Sequence, residues 1–274
     1  MPPINEIIVF IAVLAGAGAI AGFLAGLFGI GGGAILVPVL YEAFRWFDTP
    51  DSVRTHLAIG TSLAVIVPTS LSSFRAHYKR KAPDMDLLKS WLLPVPLGVA
   101  AASVIAAGTS GEILRSIFAL LAAAMGLKLI FSKDATSVGD RLPRNPAKAM
   151  VGFVIGLLSA LMGVGGGILN NTFMTMFGRP VHQAIATSSG VGVLISLPGV
   201  IGFIWAGWGA EGLPAFSTGY VNWLAVALTI PMTMLAAPQG ARIAHGLDRK
   251  QLSLALGVFM IIVASRFTWS LFAG

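Results

Sequence analysis

Two glycine runs, "GIGGG" at Gly29–Gly33 and "GVGGG" at Gly163–Gly167, interrupt stretches otherwise apolar enough to lie in lipid. Glycine costs about 1 kcal/mol relative to alanine inside a helix, so each run marks a break. Non-helical backbone at membrane depth survives only where it is buried in protein or lines a wet cavity. There, glycine permits positive φ and lets a ligand approach the main chain without a Cβ in the way. A helix restarting after the break offers unpaired N–H groups and roughly half a positive charge. The chemistry that fits is capture of a small oxyanion by amides, and the candidate residues are Gly29, Gly31, Gly32, Gly33, Gly163, Gly165, Gly166 and Gly167. Close helix packing through small residues is the competing use of the same glycines.

Polar side chains follow each run. "HLAIGTSL" (His56–Leu63) and "HQAIATSS" (His182–Ser189) place the hydroxyl pairs Thr61-Ser62 and Thr187-Ser188 behind a histidine. Five helical residues rotate by about 140°, so histidine and threonine do not share a face. The hydroxyls are candidate anion donors, although they can also bond the carbonyl a turn back. His56 and His182 are candidate proton carriers, because histidine titrates close to neutral pH. Asn170 and Asn171 follow the second run directly; they are costly in lipid and so point inward. Leu36 and Val37 occupy the corresponding places in the first half, which makes the site asymmetric. Arg54 and Arg179 read as interfacial anchors whose stems can snorkel.

The elements that must carry these residues are membrane helices. Of 274 residues, 56% are hydrophobic and only 11% charged, against about 25% charged in a soluble domain. Apolar segments recur at Ile7–Phe28, Leu57–Phe74, Leu87–Ala107, Ile113–Phe131, Ala147–Met162, Val191–Ala206, Val221–Ala237 and Leu252–Phe272. A bilayer core needs about 20 residues of helix, so an all-α, polytopic integral membrane protein is expected. "MPPINEI" carries no positive charge, so the first segment reads as a retained helix rather than a signal peptide. The net charge of +7 lies in the connections between helices, where it orients the chain and draws anions.

The chain also repeats itself. "LFGIGGGAIL" (Leu27–Leu36) matches "LMGVGGGILN" (Leu161–Asn170), the two histidine segments match, and "PVPLG" (Pro94–Gly98) lies where "TIPMT" (Thr229–Thr233) lies. Residues 1–140 form one repeat and 141–274 the other, each with a glycine-broken helical hairpin and about three spanning helices. The loops Arg75–Asp86, Lys128–Lys148 and Gln239–Lys250 are rich in Lys and Arg, whereas Gly207–Gly219 holds only Glu211. The positive-inside rule makes the first three cytoplasmic, so the halves are inverted and both termini fall outside. Inverted repeats put a substrate near the midplane, between broken helices. Thr49-Pro50 and Arg179-Pro180 open the histidine helices, Asn145-Pro146 opens the second half, and Thr109–Glu112 reads as a capping box.

"GLFGIGGGAILVPVL", "SALMGVGGGILNNTFM" and the two histidine segments resemble the TauE/SafE family of sulfite and organosulfur anion permeases, over nearly the whole chain. The resemblance implies a transporter with duplicated halves and small sulfur-containing cargo such as sulfite or a sulfonate. Pro38 follows the first glycine run as in the family, but Thr172 stands in its place in the second half. The expectation is therefore an exporter in the cell inner (plasma) membrane. A proton-coupled importer, or a channel for another small anion such as a carboxylate, competes with it. No catalytic residue, cofactor or metal is expected: the chain has no Cys, no H-E-x-x-H and no G-x-S-x-G. The expected partners are a small anionic substrate and the lipid bilayer, without nucleic acid, and the reading leaves room for a homodimer.

Overall fold

The computed structural model describes residues 4–28, 33–131, 139, 142–244 and 248–272. The first half runs α1 (Ile4–Phe28), α2 (Gly33–Trp46), α3 (Asp51–Lys79), α4 (Met85–Trp91), α5 (Pro94–Gly108) and α6 (Gly111–Phe131). The second runs α7 (Ala147–Leu161), α8 (Gly167–Met176), α9 (Val181–Ala206), the strands β1 (Ser217–Thr218) and β2 (Val221–Asn222), α10 (Trp223–Ala244) and α11 (Arg249–Phe272). Among the described residues, α3, α6, α9, α10 and α11 are long and apolar enough to cross a bilayer, and α4 with α5, bent by 45°, is long and apolar enough to make a sixth if the two count as one span. The protein is all-α and polytopic.

The apolar segments of the sequence are helical, except that Leu87–Ala107 is broken into α4 and α5 and Val221–Ala237 starts in β2, and several helices outrun their apolar part. α3 continues through Arg75 to Lys79 and α10 through Arg242, so the cationic connections are shorter than their composition suggested. Hydropathy marks where lipid ends, and backbone hydrogen bonding goes on beyond it. The capping box is displaced by one residue. Ser110, not Thr109, accepts from the Ile113 amide at 3.4 Å, while the Thr109 hydroxyl bonds back to the Ile105 carbonyl.

The helices pair across the halves. α1 lies along α10 and α7 along α5; α3 packs on α9 and α6 on α11; α2 leans on α3 and α8 on α9. Exchanging each element for its repeat counterpart returns the same pairs. Small residues let the backbones approach. A methyl group on Gly22 of α1 would sit 2.5 Å from Thr233 Cα of α10, and one on Gly98 of α5 would meet the Phe153 carbonyl of α7.

Candidate functional site

The second glycine run is a helix break. α7 ends at Leu161, and Gly163 and Gly166 take φ of +62° and +72°, which only glycine adopts readily. α8 then restarts at Gly167 with no side chain capping its first N–H groups. In the first half, α2 restarts at Gly33; Gly29, Gly31 and Gly32 lie outside the described residues. The two runs meet. A Cβ on Gly33 would lie 2.7 Å from Val164 Cα and 2.9 Å from the Gly163 carbonyl oxygen. The Ser62 hydroxyl reinforces the junction by donating to that same carbonyl at 2.8 Å.

Beside this junction lies a cavity of about 360 Å³. Its walls come from α1 (Ala21, Ala25), α2 (Leu36), α3 (Val65, Ile66, Thr69, Ser70, Ser72, Ser73), the break (Gly165), α8 (Gly167, Asn171), α9 (Ile185, Ser188, Ser189) and α10 (Thr233, Met234, Ala237), so polar groups interrupt a mostly apolar lining. No Asp, Glu, Lys, Arg or His lines it among the described residues. Pro68 precedes the α3 hydroxyls and removes one helix N–H. Next to it, the Thr69 hydroxyl donates to the Val65 and Ile66 carbonyls at 3.1 and 3.0 Å. Ser70 lies between α9 and the break: a Cβ on Gly192 of α9 would run into its hydroxyl, and one on Gly165 would lie 3.8 Å from it.

The candidates named from the sequence divide into three groups. Gly165, Gly167, Asn171 and Ser188 line the cavity. Gly33, Gly163, Gly166, Ser62 and Asn170 lie behind its wall and shape it. A Cβ on Gly166 would strike Ile195 Cδ1 at 2.6 Å, so this glycine serves packing and positive φ rather than ligand approach. Thr61, Thr187, His56 and His182 are off the cavity. Thr61 accepts from the Asn222 amide at 3.1 Å, and Thr187 accepts from the Asp84 amide at 2.8 Å while donating to the Gln183 carbonyl. His56 is buried, with Nε2 3.0 Å from the Ala106 carbonyl and its ring stacked on Tyr220 at 4.6 Å. His182, exposed, stands in the first turn of α9, whereas His56 is in the second turn of α3, because α3 starts about a turn earlier relative to the motif.

That extra turn carries a cluster the sequence reading missed. Arg115 of α6, 2% exposed, pairs with Asp51 at 2.9 Å and donates to the Tyr41 hydroxyl. Arg54 joins the same carboxylate at 2.9 Å and also donates to the Thr49 carbonyl, so it is a structural partner more than a lipid anchor. The available signal was a lone cation within the apolar segment Ile113–Phe131, which is expensive in a membrane and demands a partner. A second cavity, about 900 Å³, opens beside the start of α9 and is lined by Asp84, Asp86, Arg144, Lys148, Arg179 and Gln183.

A bundle of membrane helices enclosing an uncharged, hydrogen-bonding cavity at a helix break is the architecture of a multi-pass transporter. The chain belongs to the Sulfite exporter TauE/SafE family, whose profile matches residues 14–267. It is 32% identical to a probable membrane transporter protein of Haemophilus influenzae, over 90% of this chain and 94% of that one. A probable membrane transporter protein of Methanocaldococcus jannaschii is 30% identical over 94% of this chain and 97% of its own. The probable membrane transporter protein YunE of Bacillus subtilis is 27% identical, covering 92% and 95%. No solved structure matches the chain. The protein is a membrane transporter and not an enzyme.

Proposed function

We propose that the protein exports a small sulfur-containing anion, such as sulfite or an organosulfonate, held in the cavity beside the paired glycine breaks. The observation that carries this reading is a largely apolar wall, without charged side chains among the described residues, in which the hydroxyls of Thr69, Ser70 and Ser188 and the carboxamide of Asn171 stand beside the uncapped start of α8 at Gly167. A helix start favours anions, and neutral donors hold one without trapping it as a buried cation would. The name of the family supports the sulfur oxyanion.

In this reading residues 1–140 and 141–274 are inverted repeats, each break is a re-entrant elbow, and the cationic connections face the cytoplasm. The reciprocal bonds Asn222–Thr61 and Asp84–Thr187 support the two-fold relation. Arg144, Lys148 and Arg179 then gather anions at the cytoplasmic side. An inside-negative potential supplies about 2.3 kcal/mol per 100 mV for each negative charge leaving, so export of a monoanion needs no coupling ion. The positions of His56 and His182 away from the cavity agree with uncoupled export.

The test is ligand-induced thermal stabilisation of the purified protein by sulfite, thiosulfate, taurine, sulfoacetate and sulfate. A ligand that binds the folded state raises its melting temperature by mass action. Sulfite or a sulfonate is expected to do so; stabilisation by a carboxylate alone would overturn the assignment.

A further inference from the structure

We propose that Asn171 sets the hydrogen-bond polarity of the cavity, and that Asn170 and Ser188 hold its carboxamide in the orientation that does so. The inference rests on the cavity being the anion site. The Ser188 hydroxyl makes two bonds of 2.7 Å, one with Asn170 Nδ2 and one with Asn171 Oδ1. An amide nitrogen only donates and an amide oxygen only accepts, while a hydroxyl has one proton. The direction is therefore forced: Asn170 donates to Ser188, and Ser188 donates to Asn171.

The first link has its own anchor. Asn170 Nδ2 also lies 3.5 Å from the Ala184 carbonyl oxygen and 3.5 Å from Met174 Sδ, both acceptors. Turning that amide over would bring oxygen against oxygen. Asn170 is fully buried and Ser188 is 7% exposed, so bulk water does not compete for the bond between them.

With its oxygen holding the Ser188 proton, the Asn171 carboxamide is fixed in orientation, and Nδ2 is its side-chain donor for the cavity that it lines. The neighbouring hydroxyls do not fix a sign in the same way. Thr69 donates to the Val65 carbonyl and Ser189 to the Ala186 carbonyl, which leaves their oxygens as acceptors, while Ser70, Ser72 and Ser73 are hydroxyls that rotate to donate or to accept as the ligand requires. With no charged side chain in the lining among the described residues, a fixed carboxamide donor joins the uncapped start of α8 in favouring a negative ligand. Val37 stands at the corresponding place in the first half, so the donor is on one side only. The ligand class is one that presents unprotonated oxygens, a sulfonate or another oxyanion, in preference to an ammonium.

The experiment measures methanesulfonate and methylammonium affinities of the purified protein and of Asn171→Asp, Ser188→Ala, Ser188→Thr and Ala237→Phe. Asn171→Asp keeps the shape and removes the donor, and is expected to weaken methanesulfonate about tenfold or more. Ser188→Ala frees the carboxamide to turn, and is expected to lower the ratio of methanesulfonate to methylammonium affinity several-fold; Ser188→Thr, which keeps the hydroxyl, restores it. An unchanged ratio in Ser188→Ala overturns the positioning role whether or not Asn171→Asp assembles. Undiminished methanesulfonate binding by Asn171→Asp, with loss in the cavity-filling Ala237→Phe, overturns the inference and spares the site. Binding that survives both removes the site as well.

Discussion

The Asn222 amide donates to the Thr61 hydroxyl at 3.1 Å, and the Asp84 amide donates to the Thr187 hydroxyl at 2.8 Å. Thr61 and Thr187 are the repeat-related threonines. Asn222 and Asp84 each cap a helix, accepting from Ala225 at 2.8 Å and from Leu87 at 3.0 Å. Each histidine-motif helix thus grips the start of a helix from the opposite half. The hydroxyls that read as ligand donors are a reciprocal clasp between the repeats.

Thr61→Val should therefore lower stability by about 1–3 kcal/mol, since it strands the buried Asn222 N–H. Thr61→Ser should restore most of it. Thermal melting checks both, and sulfite should stabilise each folded variant as it does the parent. A selective loss of that response would return Thr61 to the binding site.

The glycine break separates folding from binding within three residues. Gly166→Ala forces a side chain into φ of +72° against Ile195, so assembly should suffer by about 1–3 kcal/mol. Gly165→Ala meets Ile66 Cγ2 at 3.1 Å, Gly192 Cα at 3.7 Å and Ser70 Oγ at 3.8 Å on the cavity side. It should assemble and bind sulfite more weakly. Size-exclusion profiles paired with ligand-induced melting shifts distinguish the two outcomes.

The Arg115 cluster predicts an asymmetry between its partners. Asp51→Ala leaves a nearly buried guanidinium without its carboxylate, costing about 2–3 kcal/mol; the full penalty of about 3–5 kcal/mol for breaking a buried pair is reduced because the Asp51 side chain is 44% exposed. Arg115→Met removes the buried charge itself and leaves Asp51 paired with Arg54, so it should be milder. Chemical denaturation of the two variants ranks them.

Transport should keep its pH profile in His182→Gln, because this histidine is exposed and away from the cavity. His56→Gln should lower stability by about 1 kcal/mol, through the weakened contact with the Ala106 carbonyl. Flux into vesicles across pH 5–8 checks the pair; a profile flattened by either change would restore proton coupling.

Hydropathy and punctuation made the helices legible. The short helices α2 and α8 start at the last glycine of each run, and Pro50 and Pro180 precede α3 and α9 directly. The second glycine run located the break beside the cavity; Asn171, named for the cost of its amide in lipid, and Ser188, named as half of a hydroxyl pair, both line that cavity. Arg115 was overlooked although the cost of a charge in lipid pointed to it; Asp84 passed as a loop residue just before an apolar run, and Asn222 as part of the apolar segment Val221–Ala237.

What the sequence determined by itself was the set of helices and the break at the second glycine run, because each depends on burial cost and backbone freedom that a short stretch expresses alone. The tertiary structure decided which hydroxyls meet the cavity and which clasp a helix start: Ser188 one way, Thr187 beside it the other. Adjacent residues on a helix face about 100° apart, so a single step in sequence turns a side chain from one neighbour to another. What it then bonds is set by helices brought in from the other half of the chain.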